Sequence, residues 1–318
     1  MSISYSSGFI KRRRFDAVDA VSFDVAAGET LGLVGESGSG KSTTGRAILK
    51  LLTPDAGTIR FDGRDITTMG LEYRRAVQAI FQDPAASLNP RQVAGDAVLA
   101  PLRRHGLDRP RERAAEAFEQ VGLSAGHMSR YPAELSGGQQ QRVAIARALA
   151  LGPRLVVCDE AVSALDLSTQ SQIINLLADL RASTGVSFLF IAHDLGIVRH
   201  LSDRIAVMLA GRLIEIGPAE ALFEHPRHPY TRSLLAATPA AHPSEREEHR
   251  VRRAAYRPLH RGAPIRRGEA GCPFRARCGR VMEVCSTETP PVHDVGDGQH
   301  VACHLYSEAF SSLNRRRI

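Results

Sequence analysis

The run Gly35-Glu36-Ser37-Gly38-Ser39-Gly40-Lys41-Ser42, followed by Thr43, constrains this chain more than any other stretch. It fits G-x-x-x-x-G-K-[ST], a spacing that requires a strand, a tight loop and a helix in that order. Glycines let the backbone close around an anion, so that successive amides point at phosphate oxygens. Lys41 adds a positive charge for β- and γ-phosphates, and the Ser42 hydroxyl can ligate Mg²⁺. The flanks agree. Thr30-Leu31-Gly32-Leu33-Val34 reads as a short buried strand, and 43–52 as the helix leaving the loop with its N-terminus toward the phosphates. The same pattern also describes a glycine-rich turn that binds nothing, so the decision falls to the other sites.

A chain of 318 residues has room for two domains, or for one large α/β domain with an appendage. No apolar run reaches the roughly eighteen residues of a membrane span. Lys11-Arg12-Arg13-Arg14 leads into Phe15-Asp16 rather than an apolar core, so no signal peptide is expected. The expected location is the cytoplasm, with any membrane role exercised through partners. The net charge of +7 gathers between Glu245 and Arg267 and at Arg315-Arg316-Arg317. No aromatic residues alternate with these charges, which favours a solvated tail over a nucleic-acid surface.

In chain order, 1–7 reads as a scrap of strand, then comes a basic loop, then 20–25 as a strand of alternating polarity. Runs at 57–61 and 64–66 flank Asp62-Gly63, a strong hairpin signal. Val77-Gln78-Ala79-Ile80-Phe81 is a further strand, ending at Gln82. From 83 to about 152 helices take over, with Ala114, Phe118 and Val121 on one face and Val143, Ile145, Ala146 and Leu149 continuing the pattern. Strands return at 155–158, 187–191 and 205–209. Ile173, Leu176, Leu177 and Leu180 mark a helix between the first two. Unbroken apolar strands alternating with amphipathic helices predict an α/β fold whose parallel sheet is covered on both faces. A boundary is expected near 236–241. It would separate a core of 1–237 from a Pro-, Arg- and His-rich region of 238–318.

Leu155-Val156-Val157-Cys158-Asp159-Glu160 is an apolar strand ending in two acids. Asp159 suits the Mg²⁺ shell, and Glu160 suits acceptance of a proton from water attacking a γ-phosphate. Two acids capping a turn would look the same. Leu135-Ser136-Gly137-Gly138-Gln139-Gln140-Gln141-Arg142 opens a helix, with Ser136 and Gln139 at capping-box spacing and two glycines baring their amides. On local grounds this is a helix start, and it is also a second potential anion site. Two cradles per chain suggest a head-to-tail dimer that sandwiches each nucleotide between one subunit's loop and the other's turn.

The series formed by the phosphate loop, Gln82, Leu-Ser-Gly-Gly-Gln, Asp159-Glu160, Ser163-Ala164-Leu165-Asp166 and His193 resembles that of ATP-binding cassette (ABC) ATPases over about 15–235. The resemblance implies a RecA-like P-loop NTPase core with an antiparallel β subdomain and an α-helical insert. It makes Gln82 the residue that senses Mg²⁺ and nucleotide, Asp166 part of a loop crossing the dimer interface, and His193 a contact to the γ-phosphate. Adenine would stack on an N-terminal aromatic: Tyr5 first, with Phe9 and Phe15 competing. Cofactors would be ATP and Mg²⁺.

Further on, His225-Pro226-Arg227-His228-Pro229-Tyr230-Thr231 and Gly271-Cys272-Pro273-Phe274-Arg275-Ala276-Arg277-Cys278 are similar to the C-terminal region of oligopeptide/dipeptide importer ATPases. That likeness implies a peripheral ATPase on the cytoplasmic face of the inner membrane. Its partners would be a second cassette ATPase (a different chain or a copy), two integral-membrane permeases and, indirectly, an extracytoplasmic solute-binding protein, with no nucleic acid. The alternative is a soluble cassette ATPase acting on nucleic acid or ribosomes. Cys272, Cys278, Cys285 and Cys303 are spaced C-x₅-C-x₆-C-x₁₇-C, without the close pairs of common zinc folds. Four thiolates suit a [4Fe–4S] cluster, which some members of the resembled group carry. Zinc assisted by His300 or His304, and no metal at all, stay open.

Overall fold

The computed structural model describes residues 1–7, 13–237, 250 and 268–307. Phe9, most of the basic linker and Arg315-Arg316-Arg317 lie outside the described residues. The chain opens with an antiparallel hairpin of β1 (Ile3–Ser7) and β2 (Arg13–Val18), in which Tyr5 faces Phe15. Residues 20–25, expected as a strand, pair in no ladder. Ala20, the first residue of that run, sits at φ +51, outside the extended region a strand needs. Strand β3 (Thr30–Val34) enters the phosphate loop and α1 (Lys41–Ile48) leaves it. Lys50 at φ +55 ends that helical stretch earlier than its sequence pattern suggests. The Asp62-Gly63 turn forms as expected, with both residues at positive φ between β4 (Arg60–Phe61) and β5 (Arg64–Asp65).

After α2 (Leu71–Ala76), strands β6 (Val77–Phe81), β7 (Leu155–Asp159), β8 (Ser187–Ala192) and β9 (Arg204–Leu209) join β3 in a parallel sheet ordered β6-β7-β8-β3-β9. Period-two alternation sends successive side chains to opposite faces. Val156, Cys158, Phe188 and Phe190 feed one buried cluster, while Val157, Leu189, Ile191 and Leu33 feed the other. The strand ends are laterally aligned: Phe81 pairs with Asp159, Asp159 with Ile191, and Val34 with Ala192. Parallel strands in this register place every loop after β3, β6, β7 and β8 on one edge of the sheet, where ligands of such sheets bind.

The helical insert comprises α3 (Pro84–Ser87), α4 (Ala94–Arg104), α5 (Pro110–Gln120) and α6 (Gly137–Leu149). Ala114, Phe118, Val121, Val143, Ile145 and Ala146 are all buried, so the expected faces are the faces used. Helix α7 (Leu167–Thr184) covers the sheet with Ile173, Leu177 and Leu180. Helix α8 (Leu195–Leu201) follows β8.

The other edge of the sheet is antiparallel. Strand β10 (Arg212–Pro218) doubles back on β9 through Ala210 and Gly211, both at positive φ. Helices α9 (Ala219–Glu224) and α10 (Pro229–Ala237) come next. The C-terminal region then adds β11 (Val292–Asp294) and β12 (His300–Ala302), with β12 paired to β10. Material beyond the expected boundary thus extends the core sheet itself. No helix among the described residues is long and apolar enough to cross a membrane.

Glu215 of β10, 1% exposed, accepts the Arg227 and His228 amides at 2.7 and 2.9 Å. The His228 ring accepts the Tyr230 N–H on Nδ1 at 2.9 Å. Burial, reinforced by the Arg232 charge, pushes this imidazole down to about 3, whereas an unfolded histidine titrates near 6.5. A depressed folded value favours the neutral ring. Its stabilisation is therefore full above about pH 6.5 and lost as pH falls toward 3. From pH 7 to 5 the expected loss from this residue is about 2 kcal/mol. It is read as a fall in melting temperature that is smaller in His228→Gln. Glu215, pushed up mainly by its own burial, works in the opposite direction. Comparing the pH slopes of parent and variant isolates the histidine.

Candidate functional site

At the aligned strand ends the phosphate loop wraps from Gly35 to Gly40. Ser39 N–H donates to Glu36 O at 3.1 Å, and Ser39 O accepts the Gly211 amide at 2.8 Å. Ser37 and Gly38 are exposed, Ser39 is buried, and Ser42 and Thr43 are half-buried. Lys41, 4% exposed, donates from Nζ to Gly35 O at 2.8 Å and to Glu36 O at 3.0 Å. Burial lowers the proton affinity of this amine, and the carboxylates of Glu160, Asp159 and Glu36 oppose that effect. Three acids around one buried ammonium mark a place where charge is balanced locally.

Ser42 Oγ donates to Asp159 Oδ1 at 2.7 Å, across 117 residues of sequence. The two oxygens expected to share Mg²⁺ are therefore adjacent, and a hydroxyl beside a buried carboxylate is a donor set that suits a hard cation. Glu160 follows at φ +52, an uncommon backbone for a glutamate. Its N–H is held by Ile191 O at 3.0 Å, and its carbonyl accepts Ser163 N–H and Oγ. The carboxylate lies 3.9 Å from His193 Nδ1, with Glu160 23% and His193 58% exposed at the side chain. A half-sheltered acid beside an exposed imidazole can hold a water and accept its proton. Gln82, the residue after β6, is exposed on the same edge.

The remaining expected residues lie apart from this cluster. Ser136 caps α6, accepting the Gln139 amide at 3.2 Å while Gln139 Oε1 accepts the Ser136 amide at 3.0 Å, a complete capping box. Ser136 and Gly137 are exposed. Gly138 has no room for a side chain, since a Cβ there would stand 2.7 Å from Thr169 Cγ2 at the start of α7. Asp166 caps that helix. Its carboxylate accepts from Ser168, from Thr169 N–H at 3.0 Å and from Thr169 Oγ1 at 2.9 Å, which holds it well below the usual carboxylate range. Tyr5 and Phe15, 39% and 41% exposed, stand opposite each other on the N-terminal hairpin. A cavity of about 320 Å³ lined by Thr30, Leu177, Arg181 and Phe188 lies toward the N-terminal end of β3, away from the phosphate loop.

Cys272, Cys278, Cys285 and Cys303 are buried and line one small cavity together with His228 and His304. Burial is the main cause of the raised thiols, Cys272 to about 11 and Cys303 to about 12, which keeps them protonated. Among the described residues no three His, Cys, Asp or Glu side chains are arranged to hold a metal ion. His304 Nε2 is 2.9 Å from Glu288 O, and His300 lies in β12. For the iron–sulfur and zinc alternatives alike, the supporting observation is the convergence of the four thiols on one cavity.

Two contacts were invisible to sequence reasoning. Tyr230 Oη accepts the Glu36 amide at 2.8 Å, and Arg277 Nη1 donates to both Glu36 carboxylate oxygens at 3.0 and 3.2 Å. They span 194 and 241 residues. Only the motifs around 225–235 and 271–278 hinted that these stretches matter.

Comparison with known proteins places this geometry among others. The family model described as "ABC transporter" matches residues 18–163, and that described as "Oligopeptide/dipeptide transporter, C-terminal region" matches 214–285. The glutathione import ATP-binding protein GsiA of Escherichia coli K12 is 54% identical over 254 residues, covering 77% of this chain and 41% of the relative. GsiA of Salmonella typhi is 48% identical over 318 residues, covering 96% of this chain and 48% of the relative. The chain thus spans just under half the length of these curated relatives. Among solved structures, the ATP-binding cassette MJ0796, a dimer bound to ADP and Pi, superposes with TM-score 0.60 at 30% identity, covering 69% of this chain and 96% of that one. CbiO1 of Clostridium perfringens, part of a transporter complex, superposes with TM-score 0.60 at 28% identity, covering 66% of this chain and 85% of that one.

Proposed function

From the premise that the chain belongs to the ATP-binding cassette (ABC) transporter family, we propose that it is the ATP-hydrolysing subunit of an importer for short peptides, glutathione among them. The observation that carries this reading is the gathering of Lys41, the Ser42–Asp159 pair and the Glu160–His193 pair on one sheet edge. ATP is the substrate. Amides of 37–41 and the Lys41 ammonium would receive the β- and γ-phosphates. Ser42 and Asp159 would hold Mg²⁺, with Gln82 beside them, and the ion supplies charge neutralisation on the phosphates. Glu160 would accept the proton of the attacking water, and His193 would steady that water or the γ-phosphate.

Ser136, Gly137, Gly138 and Gln139 would face the nucleotide of a second cassette, whether a different chain or a copy. Asp166 would sit in the loop crossing that interface, and Tyr5 would stack on adenine. Closure on ATP and reopening after hydrolysis would pass through the insert near Gln82 to two permease subunits at the cytoplasmic membrane face. An iron–sulfur cluster at Cys272, Cys278, Cys285 and Cys303 is the finer part of the proposal. It rests on the family likeness and on the shared cavity, and iron assay of anaerobically purified protein decides it.

The experiment is mild-detergent co-purification of tagged protein from native membranes in ATP. Recovery of two multi-span proteins and a second cassette ATPase is expected, and the operon partners then identify the solute. Recovery with ribosomes or nucleic acid instead would overturn the importer reading in favour of the soluble alternative.

A further inference from the structure

Glu36, the first variable residue of the phosphate loop, has all of its polar groups engaged. Its carbonyl accepts from Lys41 Nζ and from the Ser39 amide. Its N–H is taken by Tyr230 Oη and its carboxylate by Arg277. The last two partners come from the C-terminal half. Tyr230 is 1% exposed, and its ring packs edge-on against Phe274 at 5.5 Å and 66°. Phe274, 2% exposed, lies between Cys272 and Cys278 in a loop closed by the bond from Cys272 N–H to Cys285 O at 2.8 Å. The cysteine loop and the phosphate loop are therefore one packed unit.

We infer that the loop of residues 272–285 sets the geometry and charge of the phosphate loop, with Arg277 and Tyr230 as positioning residues for nucleotide binding. The inference rests on the nucleotide reading above. Two physical effects follow from the contacts. Tyr230 removes the Glu36 amide from the set that can turn toward an anion, which selects the later amides of the loop for that task. Arg277 pairs with a carboxylate whose negative charge, only partly offset by Lys41, would oppose that of an incoming triphosphate. The Glu36 side chain is 43% exposed and that of Arg277 20% exposed. The ion pair by itself thus adds little to folding stability. Its consequence lies in the field at the loop.

The test uses the full chain with a fluorescent ATP analogue for Kd and a turnover assay for KM and kcat. Arg277→Gln is expected to raise Kd and KM by about three- to tenfold, with the loss carried in KM rather than kcat, and the effect should shrink in high salt. Adding Glu36→Gln to Arg277→Gln should restore affinity, because the anion that Arg277 compensated is gone. A residue that merely propped up the C-terminal loop would give no such rescue. Tyr230→Phe, which deprives the Glu36 amide of its acceptor, should also raise Kd while the melt stays cooperative. An unchanged Kd in Arg277→Gln, or a loss that Glu36→Gln leaves in place, would overturn the inference. A parent protein that does not bind the analogue at all would bring down the nucleotide reading, and this inference with it.

Discussion

Glu160→Gln is expected to lower ATP turnover by about two to four orders of magnitude, while nucleotide binding persists. Glutamine keeps the size and shape of the side chain but cannot accept a proton at its amide nitrogen. The backbone around it does not depend on the carboxylate: the positive φ is held by the bond from Glu160 N–H to Ile191 O and by Ser163 on the Glu160 carbonyl. The change is therefore chemical rather than structural. On the proposed reading, closure of two cassettes on ATP would need no hydrolysis, so the variant should accumulate as an ATP-dependent dimer, visible as an earlier elution in size exclusion with ATP than with ADP. Phosphate release and elution together check the result. Turnover within threefold of the parent would remove Glu160 from its role and leave the base to be sought elsewhere.

Gly40→Ala is expected to cut turnover by about a hundredfold through misplacement of the loop rather than loss of any functional group. Gly40 sits at φ +108, where a side chain is strained whatever the space. Space is also lacking, for a Cβ would stand 2.3 Å from Ala17 O, a backbone atom of β2. Either β2 or the loop has to move. Because β2 is tied by its ladder to β1, the strain falls on the loop and on Lys41 beside it. The stability cost should be about 1–3 kcal/mol, small enough that a folded protein survives to be assayed. A thermal melt alongside analogue binding separates the two effects. A variant that folds and binds as the parent does would show that the loop tolerates the shift.

The sequence by itself determined the local elements and the order of the chemistry. Period two and period 3.6 marked the strands and helices of the core, and the phosphate-loop spacing dictated strand, turn and helix. Asp62-Gly63 fixed its hairpin because positive φ is a property of those two residues. Pattern misled where pairing, not periodicity, decides. The alternating run 20–25 joins no ladder, whereas the basic run at Arg13–Val18 does. Nor was the antiparallel edge legible, since β11 and β12 have three residues each and are held by pairing, β11 on β12 and β12 on β10. The gathering of Ser42 with Asp159, and of Glu160 with His193, was expected in kind, but strand order and register supplied the 2.7 and 3.9 Å separations. The grip of Tyr230 and Arg277 on Glu36 belongs wholly to tertiary structure. No local rule relates residues 194 and 241 positions apart. Their meeting depends on where the sheet edge leaves the C-terminal loop, and that is settled by burial of the whole chain rather than by any stretch of it.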